Sequence, residues 1–152
     1  MAIIKPFKAW HPDPKNVDQI TCVPYDVVSI DEARTLAEGK PKSFLHVVRP
    51  EIDLPNNTDP HDDAVYEKGA KNLNKLLNNA SFKQEEEPQI YVYQLIRNGK
   101  PQTGVFACLS VEDYNNEVIL KHELTRPIKE NDRTRHILTQ QAHAEPVMIT
   151  YK

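Results

Sequence analysis

The chain has 152 residues, 27% of them charged and 39% apolar, with a formal net charge of −3. That length fits about one domain of the usual roughly 100–200 residues, with a core that needs no covalent staple. The composition argues against a disordered chain and against a membrane span of roughly 20 apolar residues, and the acidic balance argues against wholesale nucleic-acid binding.

Ile3-Ile4-Lys5-Pro6-Phe7 reads as a short opening strand, confined to an edge or a strand end by its proline. It is too short and too interrupted for a secretory segment, so Cys22 and Cys108 are expected to be buried free thiols of a cytoplasmic protein. The stretch from Pro12 to Pro24 is irregular. Ser29 followed by Glu32 makes a capping box, in which each side chain satisfies an orphan amide at a helix start. That helix carries Ala33, Leu36 and Ala37 and stops at Gly39, a residue suited to the left-handed terminator. Ser43 to Arg49 reads as a strand by its β-branched content, with Pro50 closing it. On that strand His46 shares a face with Phe44 and Val48.

Asp59 is placed to cap a long helix with Pro60 in its first turn, and Asp62 and Asp63 complement the dipole there. Val65, Gly69, Leu73, Leu76, Leu77 and Ala80 form one stripe at helical spacing, so this helix packs on something. Gln89 to Ile96 and Thr103 to Val111 are strands around Asn98-Gly99, a favoured hairpin signal. Bulk on both faces of the first strand predicts a hairpin inside the sheet with a helix over one face. Tyr114-Asn115-Asn116 is a second turn and Val118-Ile119-Leu120 a third strand. A charged helix over about Lys129 to Gln141 and a last strand from Pro146 to Tyr151 complete the order.

The expected fold class is α+β: a mostly antiparallel sheet with packed helices and the start of a second lobe at the carboxyl end. Residues 1–117 would form the amino-terminal domain and 118–152 the beginning of that lobe. The final strand runs on without turn or cap, which reads as the front part of a longer protein. Its open edge would let two copies pair as a homodimer.

The densest ionisable cluster spans residues 121–136. Arg126, Lys129, Arg133 and Arg135 surround the predicted start of a helix, where free amides and the dipole already favour anions. With His122 and His136 alongside, such a corner can hold a phosphate, and Glu123 or Glu130 can take a proton from an attacking hydroxyl. The plainer reading pairs Asp132 with Arg135 and His136 at helical spacings on a solvated face. His46 with Arg49 is either a hydrogen-bonded core histidine or a site at the sheet end. His122-Glu123 has Arg126 where a zinc-protease helix needs its second histidine, so no metal site is expected. Gly39, Gly69, Gly99 and Gly104 are isolated, which leaves no phosphate loop or dinucleotide fingerprint.

Ile3-Ile4-Lys5-Pro6-Phe7-Lys8-Ala9, Val23-Pro24-Tyr25-Asp26-Val27, Ser43 to Glu51, Lys121-His122-Glu123-Leu124-Thr125-Arg126-Pro127 and Asp132-Arg133-Thr134-Arg135-His136 carry a family resemblance. In the same order and over nearly the whole chain, they resemble the signatures of a prokaryotic family of unknown function, DUF 1015. That resemblance implies a longer protein with an Asp-Gly-His-His-Arg type motif downstream, similar to one in the ParB/sulfiredoxin-like fold, which includes free-serine kinases. Leu124 to Glu130 resembles the opening of that motif region, and the analogy carries to Arg126, Glu130 and Glu123 alone.

The expected function is therefore the front half of a phosphotransferase acting on a small metabolite, with ATP or ADP and Mg²⁺. Glu123 or Glu130 would be the base, and Arg126, Arg133 and Arg135 would hold phosphate. The alternative is a non-catalytic binding or regulatory module, whose cluster docks a partner or stabilises a lobe interface.

Overall fold

The computed structural model describes residues 1–79, 81–121, 125–147 and 149. The fold is α+β. Six helices and six short strands are described: β1 (Ile4–Lys5), β2 (Trp10–Pro12), α1 (Val17–Ile20), α2 (Ile30–Ala37), α3 (Leu45–Val48), α4 (Asp63–Asn78), β3 (Phe82–Gln84), β4 (Tyr91–Arg97), β5 (Lys100–Phe106), β6 (Cys108–Leu109), α5 (Val111–Asn115) and α6 (Pro127–Gln140). Among the described residues the strands make three separate two-stranded ladders rather than one sheet. The chain divides into two compact units, one of Met1–His11 with Lys83–Leu124 and one of Pro12–Phe82 with Thr125–Lys152.

The strand unit pairs β1 with β6, Ile4 opposite Leu109, and β4 with β5 from Tyr91↔Phe106 to Arg97↔Lys100. Asn98 and Gly99 both have positive φ, 52° and 73°, which matches the twist of a two-residue hairpin turn. The prediction of an enclosed hairpin is corrected: Val92, Ile96 and Val105 are 78, 68 and 58% exposed. The strand expected to run on to Val111 gives way to α5, because Ser110 accepts from Asp113 N and caps a helix there. No strand forms at Val118 to Leu120 either. Glu117 is left-handed (φ 58°), and Val118 and Ile119 fold back to donate to the Asp113 carbonyl at 2.9 and 3.0 Å.

In the helical unit, α2 begins as its sequence dictates: Ser29 Oγ accepts from Glu32 N, and the Glu32 carboxylate accepts from Ser29 N at 2.8 Å. Gly39 then takes φ 69°. The segment predicted as a strand is instead α3 followed by a 3-10 turn, Pro50–Asp53. Leu45, Val47 and Val48 are all buried. A half-buried strand alternates its faces and cannot enclose both members of an adjacent pair, whereas a single helical turn between two packed elements can. Leu45 and Val48 join Ala33, Ala37 and Ile52, while Val47 joins Leu73 and Leu76. Each such aliphatic side chain contributes about 1.5–3 kcal/mol on burial.

The long helix α4 starts later than predicted. Asp59 accepts from His61 N and shapes the preceding turn, and Asp62 is the cap, accepting from Ala64 N at 2.9 Å. The predicted stripe does face the core at Val65, Gly69, Leu73 and Leu76, while Ala80 lies outside the described residues. Gly69 is needed for close approach. A Cβ there would meet Gln140 Nε2 at 2.9 Å, and the Val47 carbonyl and Pro50 Cγ at 3.2 Å. Helix α6 packs against α4 at this point and ends at Gln141 in the left-handed conformation. Pro146, Val147 and Ile149 belong to no strand, and Met148, Thr150 and Tyr151 of the predicted last strand lie outside the described residues. Both cysteines are exposed rather than buried.

Candidate functional site

Helix α6 opens with Pro127 at its first position and Arg126 as the residue before it, without a side-chain cap. Arg126, Lys129 and Glu130 are exposed, and Glu130 Oε2 accepts from Thr125 Oγ1 at 2.8 Å. His122 and Glu123 lie outside the described residues. One turn further on, the helix turns inward. Asp132 and His136, spaced i and i+4, are its buried residues.

Around Asp132 the polar groups close on one another. Its Oδ1 accepts from Tyr66 Oη at 2.9 Å, and its Oδ2 accepts from Arg133 Nε and Nη2 at 3.1 and 2.6 Å. Arg133 also donates to Glu145 Oε2 at 2.5 Å and lies 4.2 Å from the centre of the Tyr25 ring. Arg135 donates to Asp63 and to the His61 carbonyl, and stacks 4.1 Å from the Tyr66 ring centre. His136 meets the edge of Tyr66 at 4.7 Å between ring centres.

The electrostatics follow from this packing. Burial opposes the Asp132 carboxylate, but its hydrogen bonds and charge pairing with Arg133 outweigh that and hold the carboxyl below its usual range. Burial and then the Arg133 charge push His136 down to about 4. Burial, reinforced by the bond to Asp132, pushes Tyr66 up to about 12. Burial raises Glu145, with Arg133 opposing it. At neutral pH the cluster is a buried carboxylate neutralised by arginine, beside a neutral imidazole.

A second polar group lies around His46, which α3 carries into a half-buried position rather than onto the predicted strand face. Its Nδ1 is 2.8 Å from Asp53 Oδ1 and its Nε2 is 3.2 Å from the Lys40 carbonyl. Asn72 Nδ2 donates to Asp53 Oδ2 and to the His46 carbonyl, at 2.8 and 2.7 Å. The bond to Asp53 raises the His46 pKa above its ordinary value. Burial opposes the Asp53 carboxylate, yet His46 and Asn72 hold it below the usual range. A cleft of about 280 Å³ opens here, lined by His46, Asp53, Lys68, Asn72, Lys75 and Leu76 among others. Arg49 does not reach this cleft lining; its Nε lies 3.1 Å from Glu51 Oε1 instead.

The structure thus brings Arg133, Arg135 and His136 together on α6, leaves Arg126 and Glu130 at its exposed start, and puts His46 in a separate group. Sequence reasoning missed Tyr66, Glu145 and Tyr25 as partners of the arginines, and Asp53 and Asn72 as partners of His46. One signal was available. Lys68, Asn72 and Lys75 recur at i, i+4 and i+7, a polar stripe beside the apolar one on α4.

Comparison with the curated proteins and with the solved structures finds no match in either. A family model, described as protein of unknown function (DUF1015), matches residues 4–152, and the chain belongs to that family.

Proposed function

We propose that this chain is a non-catalytic ligand-binding or regulatory module, whose α6 cluster locks the helical unit instead of holding phosphate. The observation that supports this reading is that Arg133 and Arg135 already meet carboxylates, Asp132 with Glu145 and Asp63 respectively. A phosphate would have to displace those carboxylates; at Arg133, whose pair with Asp132 is largely buried, that costs about 3–5 kcal/mol, whereas the Arg135–Asp63 pair is exposed and contributes about 0–1 kcal/mol. Assay of the purified protein for nucleotide consumption with ATP and Mg²⁺, against small hydroxylated metabolites, tests it. The expected result is no turnover above that of a Glu130→Gln variant; turnover lost in that variant would reverse the reading.

A phosphotransferase remains the second reading, because Arg126, Lys129 and Glu130 are exposed around an α6 start without a side-chain cap. In that case Arg126 would hold phosphate and Glu130, or Glu123, would act as base toward a small-metabolite hydroxyl, with ATP or ADP and Mg²⁺ as donor.

A further inference from the structure

We propose that the cleft between α3, the Pro50–Asp53 turn and α4 binds a small aliphatic dicarboxylate, bridged between Lys68 and Lys75; this deepens, and rests on, the ligand-binding reading above. The cleft has a finished polar floor. Both ring nitrogens of His46 face acceptors, the Asp53 carboxylate and the Lys40 carbonyl, a setting that favours the doubly protonated ring. Asp53 is in turn satisfied by His46 and Asn72, and Lys68 Nζ stands 3.8 Å from it. With its ring protonated, His46 balances the single carboxylate, and the two ammonium groups of the lining are left in excess. Lys75 has no ion-pair partner among the described residues.

Three observations set the class of ligand. The surplus calls for two negative charges. Lys68 and Lys75 are seven residues apart on α4, so their anchor points are about 10 Å apart along the helix axis. Their ammonium groups are therefore better met by two separated anionic ends than by one compact oxyanion. Leu76 and Pro41 line the same space and offer an apolar wall to a methylene spine. A dicarboxylate of about four to six carbons meets all three conditions, with ion pairing at its ends and burial of its middle. The floor is unsuited to proton transfer, because His46 Nε2 is committed to the Lys40 carbonyl and not presented to a ligand. The cleft binds; it does not react.

Isothermal titration of the whole chain with succinate, glutarate and adipate, with acetate and inorganic phosphate as comparators, tests the proposal. Saturable binding of at least one dicarboxylate is expected, about tenfold tighter than acetate or phosphate. It should weaken about tenfold in Lys75→Gln, an exposed substitution that leaves the melting temperature unchanged. Absence of saturable dicarboxylate binding, equal binding of phosphate, or undiminished binding in Lys75→Gln would each overturn it. Nucleotide turnover alongside intact dicarboxylate binding would remove only the non-catalytic reading, whereas failure of the titration without turnover would remove only the cleft.

Discussion

Tyr66 on α4 donates its phenolic hydrogen to Asp132 on α6 at 2.9 Å, and both residues are buried. This bond ties the two longest helices of the unit together through a charge-assisted contact. Tyr66→Phe removes the donor and keeps the ring that Arg135 and His136 pack against. It should cost about 1.5–3 kcal/mol, the range for a hydrogen bond to a charged group. Urea denaturation at pH 7 measures it, and a cost below about 0.5 kcal/mol would show that water replaces the phenol.

Acid should weaken the unit through His136. Its folded pKa is lowered to about 4, whereas an exposed histidine titrates near 6.5, so the unfolded chain binds more protons between those values. Stability from this group is complete above about pH 6.5 and is lost as pH falls toward 4, a change of up to roughly 3 kcal/mol. Denaturation midpoints at stepped pH, with the His136 imidazole followed by NMR, check it. A His136 resonance that titrates near 6.5 would contradict the buried, neutral assignment.

His46 works with the opposite sign. Its folded pKa is raised by the bond to Asp53, so its contribution is present below the unfolded value near 6.5 and disappears as pH climbs through the raised value. Asp53 is depressed, and its contribution disappears only in acid. In NMR titrations His46 should therefore protonate at higher pH than His136, and Asp53→Asn should bring His46 back down. Equal midpoints for the two histidines would refute the pairing.

Gly69→Ala sets two effects against each other. Alanine is a better helix former by about 1 kcal/mol. The added methyl, however, meets the Val47 carbonyl and Pro50 at 3.2 Å, and overpacking of this kind costs about 1–3 kcal/mol. Packing should win, because the Val47 carbonyl belongs to α3 and Pro50 to the stiff turn after it, and only Gln140 can swing aside. Net destabilisation of about 1 kcal/mol is expected in thermal melts; a stabilised variant would mean that α3 and the turn after it give way to α4.

Much of the fold was legible where a local signal and a long-range demand agreed. The Ser29/Glu32 capping box, the Asn98-Gly99 turn and the stripe from Val65 to Leu76 all specify what they form. Ser43 to Arg49 misled because β-branched residues describe a fitting surface, and here the surface is a helical turn buried on several sides. Val118 to Leu120 misled because a left-handed Glu117 draws the following amides back onto α5, something no run of apolar residues announces. For the site, the i, i+4 relation of Asp132 and His136 was readable. Their partners Tyr66 and Glu145 were not, since they are joined to α6 only through the tertiary fold.

Arg133 is the shared counter-ion of Asp132 and Glu145, and its replacement is the most direct test. In Arg133→Gln, Asp132 and Glu145 lose their shared cation and Tyr25 its stacked guanidinium. Denaturant titration at pH 7 should show a loss of about 3–5 kcal/mol, with any thermal response to ATP and Mg²⁺ the same as in the parent protein. An unchanged unfolding midpoint, together with a nucleotide-induced rise in melting temperature that vanishes in the variant, would contradict it.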